Sequence, residues 1–289
     1  MISSSNQLKK RPPDYKAIVQ NIFRRFSIPW AVTIIFLTVI LIIPMAALVA
    51  ESASLGWKNF WQEATAEVAV ASYIFTFTTA LIASLINAVM GTLTAWVLVR
   101  YDFWGKKIID ATIDVPFALP TTVAGLVLAT VYSEDGWIGQ FFTPFGIQIT
   151  FSPLGVFVAM LFIALPFVVR SLQPVLQEMG AEIEEAAWSL GATDWQTFRL
   201  VILPPLLPAI SAGVALGFSR AVGSYGTIVI IASNIPFRDL IPPVLVLQKL
   251  EQYDYVGATV IGTVLLFISL VLLLIINLLQ QWGKRYADN

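Results

Sequence analysis

Residues 71–99 read ASYIFTFTTALIASLINAVMGTLTAWVLV, a run without a charged side chain that closes on Arg100. About 20 consecutive apolar residues carry an α-helix through the hydrocarbon core of a bilayer. Inside that core every backbone N–H and C=O must find a partner within the protein, so a helix is the structure this run dictates. Five further stretches share its character, over residues 29–50, 115–133, 153–176, 205–233 and 256–280. Those at 29–50, 115–133 and 256–280 are also free of charge, whereas Arg170 lies near the far end of the 153–176 run and Arg220 near the middle of the 205–233 run. Pro44, Pro116, Pro120, Pro166 and Pro174 would break soluble helices, but membrane helices tolerate them where neighbours satisfy the freed carbonyls. The expected fold is an all-α polytopic membrane protein with six transmembrane helices in one domain, residues 27–289, behind a polar, basic tail over residues 1–26.

Composition supports this class. Apolar residues make up 57% of the 289, charged residues 12%, and the mean hydropathy is +0.79. A soluble domain carries about 25% charged residues, so roughly half the expected water-facing surface is missing. Cysteine and histidine are both absent, which removes disulfides, thiol nucleophiles, Cys/His zinc sites and an imidazole base. No cofactor, metal ion or nucleic-acid partner is expected. The N-terminal segment is too polar for a secretory leader and no small-residue cleavage site follows the first apolar run, so a removed signal peptide is not expected.

Lys and Arg outside the spans set the orientation. Lys9, Lys10, Arg11, Lys16, Arg24, Arg25, Arg100, Lys106, Lys107, Arg170, Arg199, Lys284 and Arg285 fall on one side of a six-span chain, and only Lys58, Arg238 and Lys249 on the other. Both termini are therefore expected in the cytoplasm. Trp30, Trp57, Trp61 and Trp282 fall near span ends, where amphipathic rings anchor at the interface.

One loop on the basic side is acidic. Gln177 to Pro204 holds Glu178, Glu182, Glu184, Glu185 and Asp194 against a single Arg199. Glu184 to Leu190 is a good helix-forming run that Gly191 is placed to end. A second short helix is expected from about Thr193, capped by Asp194 and closed by Pro204 before the next span.

Within this loop stand Glu185-Ala186-Ala187, then Gly191, then Val201-Ile202-Leu203-Pro204. The spacing resembles the EAA motif of the permease subunits of ABC importers, Glu-Ala-Ala-x3-Gly-x9-Ile-x-Leu-Pro, with Val201 in place of Ile. In the physical reading Ala186 and Ala187 form a small-residue face for close approach of another protein, and Gly191 permits the turn. The runs DVPFALPTTVAG at 114–125, LPFVVR at 165–170 and GVALGFSR at 213–220 are similar to the T-type sulfate/thiosulfate permeases of that group. Molybdate permeases share parts of them, so another oxyanion is the alternative cargo. One departure stands out: Gly223-Ser224-Tyr225-Gly226 replaces the group's usual Gly-Glu-Phe-Gly, a hydroxyl for a carboxylate. The resemblance implies a complex of this subunit, a second homologous permease, two copies of a cytoplasmic ATPase docked through Glu185, Ala186, Ala187, Gly191, Leu203 and Pro204, and an extracytoplasmic sulfate-binding protein. The chain has no phosphate loop of its own, because Gly105-Lys106 and Gly283-Lys284 lack the preceding glycine and following hydroxyl. A gradient-driven transporter would want carboxylates within its spans, and Asp114 is the one candidate. A membrane enzyme would need a catalytic cluster that these loop carboxylates cannot form.

Arg220 is the residue of interest within the membrane. A central Arg costs about 2.5–3.5 kcal/mol on insertion scales, which marks a cavity, a partner or a function. Gly213, Gly217 and Ser224 share its helical face, and Gly213-x3-Gly217 is the usual device for close helix approach. Two readings are open: a cation on the substrate path, with Ser219, Ser224, Thr121 and Thr122 as uncharged polar neighbours, or a structural Arg tied to carbonyls or to Asp114. The orientation is directly testable because the native chain has no cysteine. A Ser5→Cys variant is expected to stay unlabelled by an impermeant thiol reagent in intact cells and to react once they are opened; labelling of intact cells overturns the assignment.

Overall fold

The computed structural model describes residues 29–287, and the residue 1–26 tail lies outside them. The chain divides into two units, residues 1–54 and 55–289. In the first, helix α1 (Pro29–Ser54) is long and apolar enough to cross a membrane. Over Thr38–Ile42 it widens into a π-helix, and the Ile43 N–H reaches back five residues to the Thr38 carbonyl. The widening falls just ahead of Pro44. A proline ring clashes with the carbonyl four residues back and offers no N–H; the longer π register moves that carbonyl aside, so the helix passes through the proline.

The second unit holds α2 (Trp57–Ala64), α3 (Glu67–Arg100), α4 (Lys106–Ile113), α5 (Thr121–Tyr132), α6 (Pro153–Glu178), α7 (Glu182–Ser189), α8 (Asp194–Val222), α9 (Gly226–Ile231), α10 (Pro242–Glu251) and α11 (Tyr255–Ala287). Among the described residues there is no strand. Helices α1, α3, α6, α8 and α11 have the length and hydropathy of spans, five in all.

Two expected spans differ from the reading of the sequence. The run at 115–133 is a single turn, Val115–Ala118, then Leu119 and Pro120 in extended conformation, then α5. Twelve residues of α5 reach only about 18 Å at 1.5 Å per residue, short of the roughly 30 Å hydrocarbon layer. Proline forces its predecessor out of the helical region, and here no π register relieves it. The run at 205–233 is likewise interrupted, after Val222, by Gly223-Ser224-Tyr225 before α9. Its helix also begins earlier than expected. Pro204 does not close a separate helix: a π segment over Thr197–Ile202 lets the Leu203 N–H bond the Phe198 carbonyl, and the helix runs unbroken into the membrane.

Packing centres on α6, which lies along both α3 and α8. The face that α3 buries is built from small residues, Ala69, Ser72, Thr76, Ala80, Ala83, Ser84, Asn87, Gly91 and Ala95, while Leu81, Ile82, Leu85, Val89 and Leu93 face outward. In lipid a large apolar side chain gains little by turning inward, so close backbone approach selects the small ones. Asn87 adds a bond across the interface, its Nδ2 donating to the Leu161 carbonyl at 2.9 Å. Gly213 and Gly217 give α8 the same close backbone approach to α6. A Cβ on Gly213 would stand 2.8 Å from the Val168 Cα, and one on Gly217 3.1 Å from the Ala164 carbonyl oxygen.

The two ends of this unit are tied differently. At one, Lys249 bonds Glu63 at 3.0 Å and Asp254 at 2.6 Å, joining α2, α10 and the start of α11. The Lys249 hydrogen bond, then the Gly257 N–H, hold the Asp254 carboxyl below its usual range. Trp57 and Trp61 are exposed near this end, while the Trp282 side chain is outside those described.

The α8–α6 approach leaves no room for a methyl group. Gly213→Ala is expected to cost about 1–3 kcal/mol through overpacking and to lower the thermal midpoint of the purified protein. Gly223→Ala, whose Cβ would meet nothing nearer than the Ser219 carbonyl at 3.6 Å, is expected to leave the midpoint unchanged. Equal midpoints for both would overturn this account of the contact.

Candidate functional site

The acidic loop folds as two helices around one turn. Helix α7 ends at Ser189, and Gly191 adopts φ +85° in the left-handed region. The Gly191 N–H bonds the Trp188 carbonyl at 2.9 Å and the Ala192 N–H the Ala187 carbonyl at 3.0 Å, the paired pattern of a Schellman close. The next helix is capped by Thr193 rather than by Asp194. The Thr193 backbone is extended, its hydroxyl accepts from the Gln196 N–H at 3.3 Å, and the Gln196 side chain accepts from the Thr193 N–H at 2.9 Å. Asp194 sits one residue inside, where a carboxylate complements the helix dipole.

This helix–turn–helix has an inner and an outer face. Glu184 and Ala187 are buried; Glu185, Ala186 and Trp188 are exposed, and Leu190 at the turn is 89% exposed. The two alanines therefore do not form one open face: Ala187 packs inward, and only Ala186 is presented. Trp195 is exposed beyond the turn and stacks on Phe198, with centroids 5.8 Å apart. Trp188, Leu190 and Trp195 leave an exposed apolar tip around the turn.

Two arginines root the loop end in the helix bundle. Arg100 donates from Nε to Glu184 Oε1 at 2.6 Å, from Nη1 to the Leu176 carbonyl at 2.8 Å and from Nη2 to the Gly180 carbonyl at 3.0 Å. Arg170 grips Asp114 with two bonds, at 2.8 and 2.6 Å, and Asp110 at 2.7 Å. The Gln173 amide, then Arg170, keep the Asp110 carboxyl below its ordinary range against the opposing effect of burial. In the sequence Arg100 and Arg170 stand only as charges that set orientation, and Glu184 as one carboxylate among five. Their carboxylate partners, 56 to 84 residues away, leave no local signal.

Asp114 is thus already engaged and does not hold Arg220. Among the described residues Arg220 has neither an ion pair nor a hydrogen bond, and it is exposed together with Ser219. Gly213 and Gly217 face α6 and Ala221, one turn on, is fully buried, so the small-residue stripe is a packing surface that continues past Arg220, which lies on another, exposed face of α8. Ser224, in the break between α8 and α9, is 1% exposed and its hydroxyl has no partner. Helices α5 and α9 start beside each other: Thr227 Oγ1 donates to the Thr121 carbonyl at 2.9 Å, and Thr121 and Thr122 are exposed at the first turn of α5. The structure thus joins the Thr121 and Ser224 segments through the α5–α9 pair. Among the described residues no cluster of His, Cys, Asp or Glu could hold a metal ion.

Helices with small-residue interfaces, interrupted half-helices and a protruding helix–turn–helix define a helical membrane permease. The chain belongs to the family of binding-protein-dependent transport system inner membrane components, whose model matches residues 87–285. It is 68% identical over 92% of its length to the sulfate transport system permease protein CysT of Synechocystis sp., covering 93% of that protein. It is 60% identical to the protein of the same name from Synechococcus elongatus, over 91% of this chain and 94% of that one. In fold it is similar to a bacterial ABC transporter involved in the import of the acidic polysaccharide alginate, with TM-score 0.61 and 16% identity over 89% of this chain and 96% of that one. A multi-pass inner-membrane location and a role as a transport component rather than an enzyme follow from the family, as do an ATPase and a binding protein as partners.

Gly191 has open space around it: a Cβ there would meet nothing within 4 Å, so any penalty is conformational. A β-branched residue in the left-handed region costs about 1–2 kcal/mol, whereas Asn enters it readily. Gly191→Val is expected to lose most uptake while still inserting, and Gly191→Asn to keep most of it. Equal transport by the two variants would remove the turn from the site.

Proposed function

We propose that this chain is the membrane-spanning permease subunit of an ATP-driven importer that brings sulfate into the cytoplasm. The observation that carries this reading is 68% identity, across 92% of the chain, to a protein named for sulfate transport. The segment 177–204 is the docking element for a separate ATPase, with Glu185, Ala186 and Gly191 at the contact and Leu203 and Pro204 within α8, where the element passes into the span; Ala187 supports it from behind. The full assembly contains two ATPase copies, a second homologous permease and an extracytoplasmic sulfate-binding protein, and both termini of this chain lie in the cytoplasm.

The path for the anion runs past Arg220, Ser219, Ser224, Thr121 and Thr122. Support comes from the exposed guanidinium on α8, which has no ion pair among the described residues, and from the unpartnered Ser224 hydroxyl close by in sequence. Sulfate sheds strong hydration on entering a low-dielectric passage, and a fixed cation lowers that barrier. A neutral Ser224 avoids placing a like charge beside the dianion.

Uptake of labelled sulfate and of molybdate by cells depending on this importer tests both parts. Sulfate uptake is expected, and uptake of molybdate alone overturns the cargo. Arg220→Gln is expected to lose most sulfate uptake while the ATPase still co-purifies. Arg220→Lys, which keeps the charge but not the planar fork, is expected to retain part of it. Normal uptake by Arg220→Gln removes the residue from the path.

A further inference from the structure

Helix α7 carries the docking surface yet has little to hold it. It has eight residues, fewer than the 12–15 or so at which an isolated helix becomes even marginally stable. Only Glu184 and Ala187 of it are buried. Its orientation therefore depends on what its inner face meets, and for Glu184 that is Arg100.

Arg100 is the last residue of α3. The Leu176 carbonyl it caps is among the last four of α6, the group a helix leaves without an internal partner. The Gly180 carbonyl belongs to the turn leading into α7, and Glu184 to the first turn of α7 itself. One planar guanidinium thus joins the ends of two spans to the docking helix by three directional bonds. It is backed by Trp96, one turn earlier in α3, with the ring centroid 5.7 Å from Cζ. The ion pair is largely withdrawn from water, at 12% and 9% side-chain exposure, so solvent offers the two groups poor alternative partners. Glu184 immediately precedes Glu185, and the two point apart, one to the bundle and one to the outside.

We propose that Arg100, acting through Glu184, is a positioning residue that fixes the docking helix to the ends of α3 and α6, so that a displacement of α7 is passed to the spans rather than absorbed in the loop. The inference rests on the reading of this loop as the ATPase-docking element. Loss of the clamp leaves the outer face of α7 chemically intact but lets it swivel, so docking and hydrolysis persist while their yield in transported anion falls.

The test uses the assembled importer with its ATPase and binding protein in lipid vesicles, measuring ATP hydrolysis and labelled sulfate entry in the same sample. Co-purification of the ATPase with the unaltered chain checks the docking reading separately; its absence would defeat that reading whatever the clamp does. For Arg100→Ala the expected result is a normal amount of bound ATPase, continued hydrolysis, and a drop of about tenfold in sulfate carried per ATP, within the usual range of coupling between sites. Glu184→Gln, nearly the same shape without the charge, is expected to lower the ratio in the same direction, and Arg100→Lys to give an intermediate value. An unchanged ratio overturns the proposal. A fall in transport and hydrolysis together, in proportion to the amount of complex, also overturns it, because a purely structural role predicts that outcome. If Arg100→Ala does not accumulate, the same ratio measured on Glu184→Gln and Arg100→Lys decides.

Discussion

At Gly213 and Gly217, α8 lies against the backbone of α6 with no space for a side chain between them. Lipid tails are as apolar as leucine, so these helices gain little by hiding apolar surface from their surroundings; close van der Waals contact and a few polar bonds must hold them. Small residues on α3 make the other half of the same arrangement. The position of each candidate site residue on α8 is referred to α6 through this contact. Arg220 is exposed because it lies off this face, which Ala221, fully buried one turn beyond Gly217, continues.

A second constraint is that no backbone polar group within the membrane can go unpaired. The α-helix simply continues through Pro166, Pro174 and Pro208, but three other prolines are met in two further ways. Before Pro44 and before Pro204 the helix widens to a π register, and continuity is kept. Before Pro120 the chain turns extended, and continuity is given up. The extended segment then needs cover from protein, which α9 provides beside the start of α5 through the bond from Thr227 to the Thr121 carbonyl. Broken helices at membrane depth are tolerated where they are buried in protein or line a cavity, and the polar positions Thr121, Thr122 and Ser224 lie at these breaks.

Much of this could be read from composition and spacing. The uncharged run at 71–99 forms α3, and Gly191 takes the left-handed turn that its place after Leu190 suggests. The breaks could not be read in the same way. Hydropathy averages over a window, and neither Leu119-Pro120 nor Gly223-Ser224-Tyr225 changes that average, although each redirects the chain through one or two dihedrals. Pro204 looks like a stop because the π segment that accommodates it has no distinctive composition. Arg100 and Arg170 sit where loop charges belong, and nothing nearby in sequence announces Glu184 or Asp114 as a partner. For Arg220 the sequence leaves two readings open. The engagement of Asp114 by Arg170 takes away the tether to that carboxylate.

The unbroken course of α8 has a mechanical side. Asp194 lies 19 residues before Gly213 and Arg220 seven residues after it, about 28 Å and about 10 Å along a helix axis. Ile202 and Leu206 are buried with Leu172 and Leu176 of α6 over the longer stretch as well, so the helix is held along its length rather than at one pivot. A continuous rod of this kind has no break between Asp194 and Arg220 at which a displacement could be absorbed.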